Sequence, residues 1–547
     1  MDTAAGHSAG LRSPDRVLTK DRLAIFASAW SAMLLGSFLN FVNHNRYPML
    51  SAEAMVIALG LLLAAVVIGY AHSRSVGSKP VLDALLVFLA VDINFSGAFA
   101  HWGGALLAMA AFVHGAIRHR SAVPFIAVIF LVVVMSQLAI ALTSNASAQA
   151  LRTSILPGKA ALPAIVHVIL DEHIGLEGLN PSDEDVSLAR EKLKSSYLRN
   201  GFAVYGGAYS RHFHTTNSIP EMLNLGATEL GGPPHISEEI EIETNAYFSE
   251  LSRLGYRINV LQSDFVGYCQ HPSVSRCQTY RRNDIEPLSR SPLSVGERAS
   301  VIAAAFASLS DAIEATLTVY DFIAAHAQIR GIPLPIVKLD MLSLTSTLAA
   351  LDGAQNFTLE LASAEHGNAY FAHLLAPHYP HLTRADCTVK PHADWTYRSY
   401  GSSLETRKRS YADQLLCSAK LVEGMLDALA RSPASQDTVV IVHGDHGSRI
   451  TRLDPKIETI ERLTDDDLIA GYSTLFAIRL GSAEASYNAV NAPVSNLIKQ
   501  LIFNRFSFLP QTAAEDAAEM EIFLEDRDWR PVKAHRMPRF RDGQSLK

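Results

Sequence analysis

The first 145 residues carry apolar runs long enough to cross a lipid bilayer, and this limits the possible folds more than any other feature of the chain. A bilayer core about 30 Å thick needs roughly 20 mostly apolar residues per helix. Five segments meet or approach that length: Leu23–Val42, Ala54–Ala71, Val81–Ala98, Trp102–Ile117 and Val123–Thr143. Core helices of a soluble domain would show a polar face at helical spacing; these segments show none. The fourth is short and tightly linked to the third, so the two can form a helical hairpin. An α-helical transmembrane bundle of about five spans is expected over residues 23–145, behind a cytoplasmic segment, 1–22.

Basic residues in short loops stay on the cytoplasmic side. Arg12, Arg16, Lys20 and Arg22 precede the first span, Arg74 and Lys79 separate the second from the third, and Arg118 and Arg120 separate the fourth from the fifth. The opposite loops hold only Arg46. The N-terminus is therefore expected inside, and an odd number of spans places everything after Thr143 outside. The first span is too long and uninterrupted for a cleaved signal peptide. The expected location is the inner (cytoplasmic) membrane, multi-pass, with the remainder on the periplasmic or extracellular side. Asp83 and Asp92 lie in or near the third span. An intramembrane acid marks a functional site by default. The preferred reading has Asp83 at the interface and Asp92 facing a polar gap, because one or two acids do not make a proton relay.

From about Ala150 the texture changes, with charges, Gly, Pro and Ser between shorter apolar runs. Residues 146–163 read as a linker. Ala164–Leu170 is a continuous β-branched run, the mark of a strand buried on both faces. Thr438–Val442 is a second such strand and Ser473–Ile478 a third. Helical periodicity covers Glu184–Leu198, Ala246–Leu254, followed by the strand Arg257–Leu261, and Leu404–Leu429. Strands alternating with helices imply an α/β domain with a mostly parallel sheet, residues 164–510, followed by a C-terminal extension, 511–547. Val301–Ala325 is apolar enough to suggest a sixth span. However, Asp311, Glu314 and Asp321 would each cost about 2.5–3.5 kcal/mol near mid-bilayer. A helix capping the sheet or lying on the membrane surface fits that stretch better.

Across all 547 residues, 54 acidic against 47 basic side chains leave a net charge of −7, which gives no support to a nucleic-acid partner. Four cysteines in so long a chain exclude a disulfide-held miniprotein. Cys269 and Cys277 flank a short polar loop and are expected to pair outside the cytoplasm. Cys387 and Cys417 either form a second bridge or leave Cys417 buried and free on its helix.

Ligands of parallel sheets bind beyond the carboxyl ends of the strands. The strand at 164–170 runs into Asp171, Glu172 and His173; the strand at 438–442 runs into His443, Gly444, Asp445, His446 and Gly447. Carboxylates with imidazoles suit zinc, or manganese if oxygen dominates. Gly444 and Gly447 let the backbone turn so that Asp445 and His446 can share a site. Between the two strands lies His212-Phe-His214-Thr215-Thr216-Asn217-Ser218-Ile219-Pro220-Glu221. Pro220 and Glu221 favour the first turn of a helix capped by Ser218 or a neighbour. Hydroxyls just ahead of such a turn suit an oxyanion, and a threonine becomes a nucleophile once its proton is removed or its oxygen is bound by a metal. Thr215 and Thr216 are equally well read as capping hydroxyls. His378 could reach a substrate oxyanion, whereas His373 and His381 read as hydrogen-bonded structural residues.

These segments together resemble the alkaline phosphatase superfamily. Within it they are similar to the sulfatase-like, membrane-anchored branch of phosphoethanolamine transferases and lipoteichoic acid synthases. The resemblance covers Ala164–Leu480 in pieces, and the five-span anchor is similar to the phosphoethanolamine transferase layout. VVIVHGDHGSR resembles the metal-binding Asp-His-Gly turn, VHVILDEH the first-strand ligand motif, and HTTNSIPEMLNLG the nucleophile segment. In that segment the reactive threonine stands five residues before the proline, which selects Thr215. LLAPHYPH resembles the segment whose histidine contacts the transferred group. The resemblance implies a divalent metal held by Asp171, Glu172, Asp445 and His446, Thr215 as the nucleophile, and Thr216 and His378 at the substrate. It further implies a phospholipid donor and an envelope lipid or glycan as acceptor. The sulfatase Cys/Ser-x-Pro-x-Arg signature is absent around Thr215, which excludes formylglycine chemistry. No histidine follows between Gly447 and Leu480, where many transferases carry one. A water-using phosphoesterase and a non-catalytic envelope sensor or scaffold are the competing readings, and a transporter is the weakest.

Overall fold

The computed structural model describes residues 14–74, 79–94, 122–143, 162–180, 183–227, 240–310 (less 243), 345–397, 402–481, 484–506 and 520–540 (less 539), with isolated positions between 319 and 327. The chain divides into two compact units.

The first unit contains the helices α1 (Pro14–His44), α2 (Ala52–Arg74), α3 (Lys79–Asn94) and α4 (Ala122–Thr143). Among the described residues, two segments are long and apolar enough to cross a membrane, Leu23–His44 and Ala52–Arg74, rather than about five. The third expected span is described as a helix over Lys79–Asn94. The fourth, Trp102–Ile117, lies outside the described residues. Side chains of the fifth are described over the apolar stretch Ala127–Gln137. Phe26, Ala29, Trp30 and Met33 of α1 pack with Ala65 of α2 and with Leu86 and Ala90 of α3. A Cβ on Gly69 would stand 2.6 Å from the Ala27 Cα, so α2 can cross α1 this closely only with glycine there.

Buried polar groups of this unit meet one another. The Trp30 indole N–H donates to His72 Nδ1 at 3.3 Å, and His72 Nε2 lies 3.0 Å from Asp83 Oδ1. Asp83 is thus buried beside a partner. Asp92 accepts from the Ser310 hydroxyl at 2.5 Å. The stretch Val301–Ala325, expected to cap the sheet or lie on the membrane surface, begins inside the helix Val295–Ala307, which belongs to this first unit. Its Phe306 packs on Phe38 and Phe41, and its Arg298 grips Glu53 with two bonds, of 3.0 and 3.2 Å. The expected 164–510 domain is therefore interrupted, because the apolar face of this helix is covered by membrane-unit side chains.

The second unit is built on strands β1 (Ile165–Leu170), β2 (Ala203–Tyr205), β3 (Ala208–Tyr209), β4 (Ile240–Glu241), β5 (Arg257–Ser263), β6 (Val266–Gly267), β7 (Val274–Tyr280), β8 (Asn368–Leu374), β9 (Val439–Gly444), β10 (Phe476–Leu480), β11 (Ser486–Asn488), β12 (Ala492–Pro493), β13 (Glu521–Glu525) and β14 (Pro531–Arg536). Eight of them form one sheet in the order β11-β2-β10-β9-β1-β8-β5-β7. Within it β10 runs antiparallel to both neighbours, and the other pairs are parallel. The sheet is thus mostly parallel, as β1 and β9, each buried at every position, already imply.

Two apolar cores follow from this, one per face. One gathers Ile165, Ile169, Phe248, Phe371 and Ile441; the other gathers Val166, Val168, Leu170, Leu193, Leu415 and Val442. The alternation along β1 assigns odd positions to the first core and even positions to the second. The helices of this unit include α5 (Glu184–Arg199), α6 (Thr215–Leu223), α7 (Ala246–Leu254), α8 (Ser346–Leu361), α9 (Leu404–Leu429), α10 (Asp465–Tyr472) and α11 (Val494–Phe503). Gly255, at φ +100°, ends α7 in the left-handed conformation that favours glycine. Cys269 is bonded to Cys277 and Cys387 to Cys417, so Cys417 is not free. The hairpin β13–β14, expected as part of an extension, belongs to this unit and supplies Ile522, Met520 and Met537 to a third cluster around Phe213 and Tyr472.

Candidate metal centre

Three neighbouring parallel strands end at one place. In the β1–β9 register Leu170 is level with Gly444, so Asp171 and Asp445 are the next residues of adjacent chains. On the other side of β1, Ile169 is level with His373 of β8. Asp171, His373 and Asp445 consequently present ligand atoms within 4.8 Å of one another, all buried. Asp171 also forms a second such group with Glu172 and His378. Gly444 and Gly447 serve this convergence by their small size, and neither has a positive φ. A Cβ on Gly444 would stand 2.4 Å from the His173 carbonyl oxygen, and one on Gly447 2.2 Å from that of Ala470.

Thr215 reaches the same point from α6. Its Oγ1 donates to Asp445 Oδ2 at 2.8 Å and lies 3.2 Å from His446 Nε2. The helix starts at Thr215 itself, with His214 in the capping position, and Pro220 falls inside it. The expected start at Pro220 is thus about a turn too late. The His214 carbonyl accepts from the amides of Asn217 and Ser218 at 3.0 and 2.9 Å, bonds that close the first turn ahead of the proline. Thr216 is 1 % exposed and its hydroxyl has no hydrogen-bond partner among the described residues.

Glu172 sits at φ +63°, uncommon for a residue with a side chain. Two bonds hold this turn: its amide donates to Asp445 Oδ1 at 2.9 Å, and its carbonyl accepts from the Tyr411 hydroxyl at 2.5 Å. The side chain is thereby aimed at Arg449, whose Nε donates to Glu172 Oε1 at 2.9 Å. His378 Nε2 lies 3.7 Å from the same oxygen. Arg449 also stands over the Phe213 ring, 4.6 Å from its centroid, and its buried Nη1 has no partner among the described residues.

The donor set fits a divalent cation. His446 Nδ1 lies 2.8 Å from the Gly447 carbonyl, an acceptor only, so the ring proton sits there. Its Nε2 lone pair then faces Thr215 Oγ1. Burial pushes His446 down to about 3 and His373 down to about 4, which leaves both imidazoles neutral. Asp171 is raised well above the carboxylate range by burial and by the charge of Asp445. Burial would raise Asp445 too, but His446, His373, the Glu172 amide and the Thr215 hydroxyl outweigh it and hold it low. Both Asp171 oxygens and both His373 nitrogens are buried without a hydrogen-bond partner. Lone pairs converging on one point without donors are costly unless a cation is shared among them.

The expected residues Asp171, Glu172, Thr215, Asp445, His446 and His378 are thus gathered at one strand-end site. His373 is a correction: the structure places it in the ligand cluster, 3.4 Å from Asp171 Oδ2, instead of in a structural hydrogen bond. His381 is another, since neither ring nitrogen has a hydrogen-bond partner and the ring meets the Tyr411 ring at 5.3 Å. Arg449 was also unassigned, although it closes the HGDHGSR turn. Only strand order, which no local pattern encodes, brings His373 beside Asp171.

No family model matches the chain, and no curated protein matches it. Among solved structures the chain is similar to the C-terminal periplasmic domain of EcEptC from Escherichia coli, at 10% identity and a TM-score of 0.39, covering 69% of this chain and 92% of that one. It is also similar to the phosphonate monoester hydrolase of Agrobacterium radiobacter, at 11% identity and a TM-score of 0.41, covering 67% and 81%. A third is a protein in the alkaline phosphatase superfamily from Vibrio parahaemolyticus, at 9% identity and a TM-score of 0.36, covering 66% and 72%. At these identities none of them assigns an activity to this chain.

Proposed function

We propose that this protein is a membrane-anchored, metal-dependent transferase that moves a phosphoryl-linked head group from a phospholipid donor to an envelope lipid or glycan through a covalent phosphothreonine. One observation carries the reading. The Thr215 hydroxyl donates to Asp445 and faces His446, at strand ends where Asp171 and His373 are left without donors.

Asp171, Asp445, His446 and Thr215 would hold a divalent cation, zinc by its mixed nitrogen and oxygen ligands, with Glu172, His373 and His378 alongside. Bound there, it would supply Lewis-acid activation of the hydroxyl and of the phosphoryl oxygens. The chain's own residues do the rest. Asp445 takes the Thr215 proton, and Oγ1 forms the new bond to phosphorus as the bond to the departing lipid alcohol breaks. That alcohol oxygen takes the same proton from Asp445 as it leaves. Arg449, whose Nη1 is buried without a partner among the described residues, and His378 offset charge on the phosphoryl oxygens. In the second half an acceptor hydroxyl gives its proton to Asp445 as it attacks phosphorus, and Thr215 leaves taking that proton back. A chain anchored by its apolar N-terminal helices, with this unit on the periplasmic or extracellular side, would meet a lipid donor by diffusion in two dimensions.

Intact-mass analysis tests this. Full-length zinc-loaded protein in detergent, mixed with vesicles of phosphatidylethanolamine and phosphatidylglycerol, is expected to gain one head-group phosphoryl mass localised to Thr215. Free head group appearing without a second substrate would make water the acceptor. Absence of both adduct and turnover would leave the proposal without support.

A further inference from the structure

The C-terminal hairpin enters the back of the nucleophile's helix and leaves one carboxylate there. Glu525, the last residue of β13, is fully buried. Its Oε2 pairs with His214 Nδ1, its Oε1 accepts from Asn217 Nδ2 at 2.9 Å, and His212 Nδ1 lies 3.7 Å from Oε1. Asn217 Nδ2 also donates to the Trp529 carbonyl, in the hairpin's turn, at 2.7 Å. His214 stacks on the Trp529 ring with centroids 4.5 Å apart and planes 17° apart; His212 stacks on Phe523 at 5.2 Å and 27°. The Phe523 amide donates to the Arg211 carbonyl at 2.8 Å.

These contacts fall on both sides of Thr215. Residue 214 precedes it and residue 217 closes the first turn of α6, and one carboxylate binds both. The helix has only nine residues with a proline inside, so its own hydrogen bonds hold its start weakly. From this geometry we infer that Glu525 is a positioning residue for Thr215: the hairpin clamps the first turn of α6 so that Oγ1 stays within bonding distance of Asp445 and His446. The inference rests on Thr215 being the nucleophile, as proposed above. A displacement of about 1 Å from a change away from the chemistry can cost on the order of 100-fold in rate.

The test uses full-length protein in detergent, loaded with zinc, turning over the chromogenic phosphodiester bis(4-nitrophenyl) phosphate. Wild type must first show turnover that Thr215→Ala abolishes; failure there overturns the proposed function and not the clamp specifically. With that in place, Glu525→Ala is expected to lower kcat about 100-fold, with KM and zinc per chain within about twofold of wild type. Asn217→Ala removes one arm of the clamp without leaving a cavity beneath the helix, and is expected to lower kcat about tenfold in the same pattern. Glu525→Gln keeps an acceptor for Asn217 and a polar atom for His214, so it should recover to within about fivefold. If Glu525→Ala does not fold, Asn217→Ala decides alone. Wild-type kcat in Asn217→Ala, or losses in zinc content or KM in place of kcat, would overturn the clamp.

Discussion

Both units bury ionisable side chains, and they group them differently. In the first unit they meet in pairs: Asp83 with His72, Glu53 with Arg298, and the half-buried Asp92 with Ser310. At the strand ends of the second, two carboxylates share one point: Asp171 and Asp445 present ligand atoms within 4.8 Å of each other and of His373, and His446 turns a lone pair toward the Thr215 oxygen. A buried acid beside one base is explained by packing alone. Two buried carboxylates crowded together call for a cation. The same residue types therefore read as structural in one place and as a site in the other, and the deciding quantity is the excess of carboxylates and not burial.

The largest effect expected from this contrast is on turnover. Thr215→Ala should lower kcat by three or more orders of magnitude, the scale seen when a nucleophile is removed, while circular dichroism and melting stay unchanged. Thr216→Ala should stay within about tenfold of wild type. An inactive Thr216→Ala beside an active Thr215→Ala would move the nucleophile by one residue, and activity in both would remove it. Next in size is Asp83→Ala, which strands His72 in the first unit and should cost about 3 kcal/mol in detergent unfolding. No loss there would make that pair as dispensable as an exposed one. Smallest, and opposite in sign, is Asp171→Asn. In chelator-treated protein it relieves two facing carboxylates and should stabilise by about 1 kcal/mol. Zinc at about 100 times its dissociation constant should stabilise wild type by about 2.7 kcal/mol, and the Asp171→Asn variant by less. Destabilisation of the metal-free protein by Asp171→Asn would mean that Asp171 is satisfied after all, and the contrast would fail.

Much of the second unit was legible because its signals are local. The all-apolar runs at β1 and β9 announce strands covered on both faces, and Leu404–Leu429 and Ala246–Leu254 are helices at the expected bounds. The start of α6 was misplaced because Pro220 looks like an opening residue, while the His214 carbonyl, which closes the first turn, carries no side-chain signature. Of the five spans that hydropathy suggests, the described residues hold two segments long and apolar enough to cross a membrane.

What the sequence alone determined is the chemistry available: apolar runs for the anchor, and carboxylate, imidazole and hydroxyl groups placed at the ends of strands and near the start of a helix. Periodicity and residue type act over a few neighbours, so these could be read directly. Tertiary structure alone decided which of those groups meet. Strand order set β9, β1 and β8 side by side and so added His373 to Asp171 and Asp445. Chain return brought Glu525 behind Thr215, 310 positions away by their numbers. Such encounters depend on how whole elements pack, and packing energy is spread over many side chains, none of which names its distant partner.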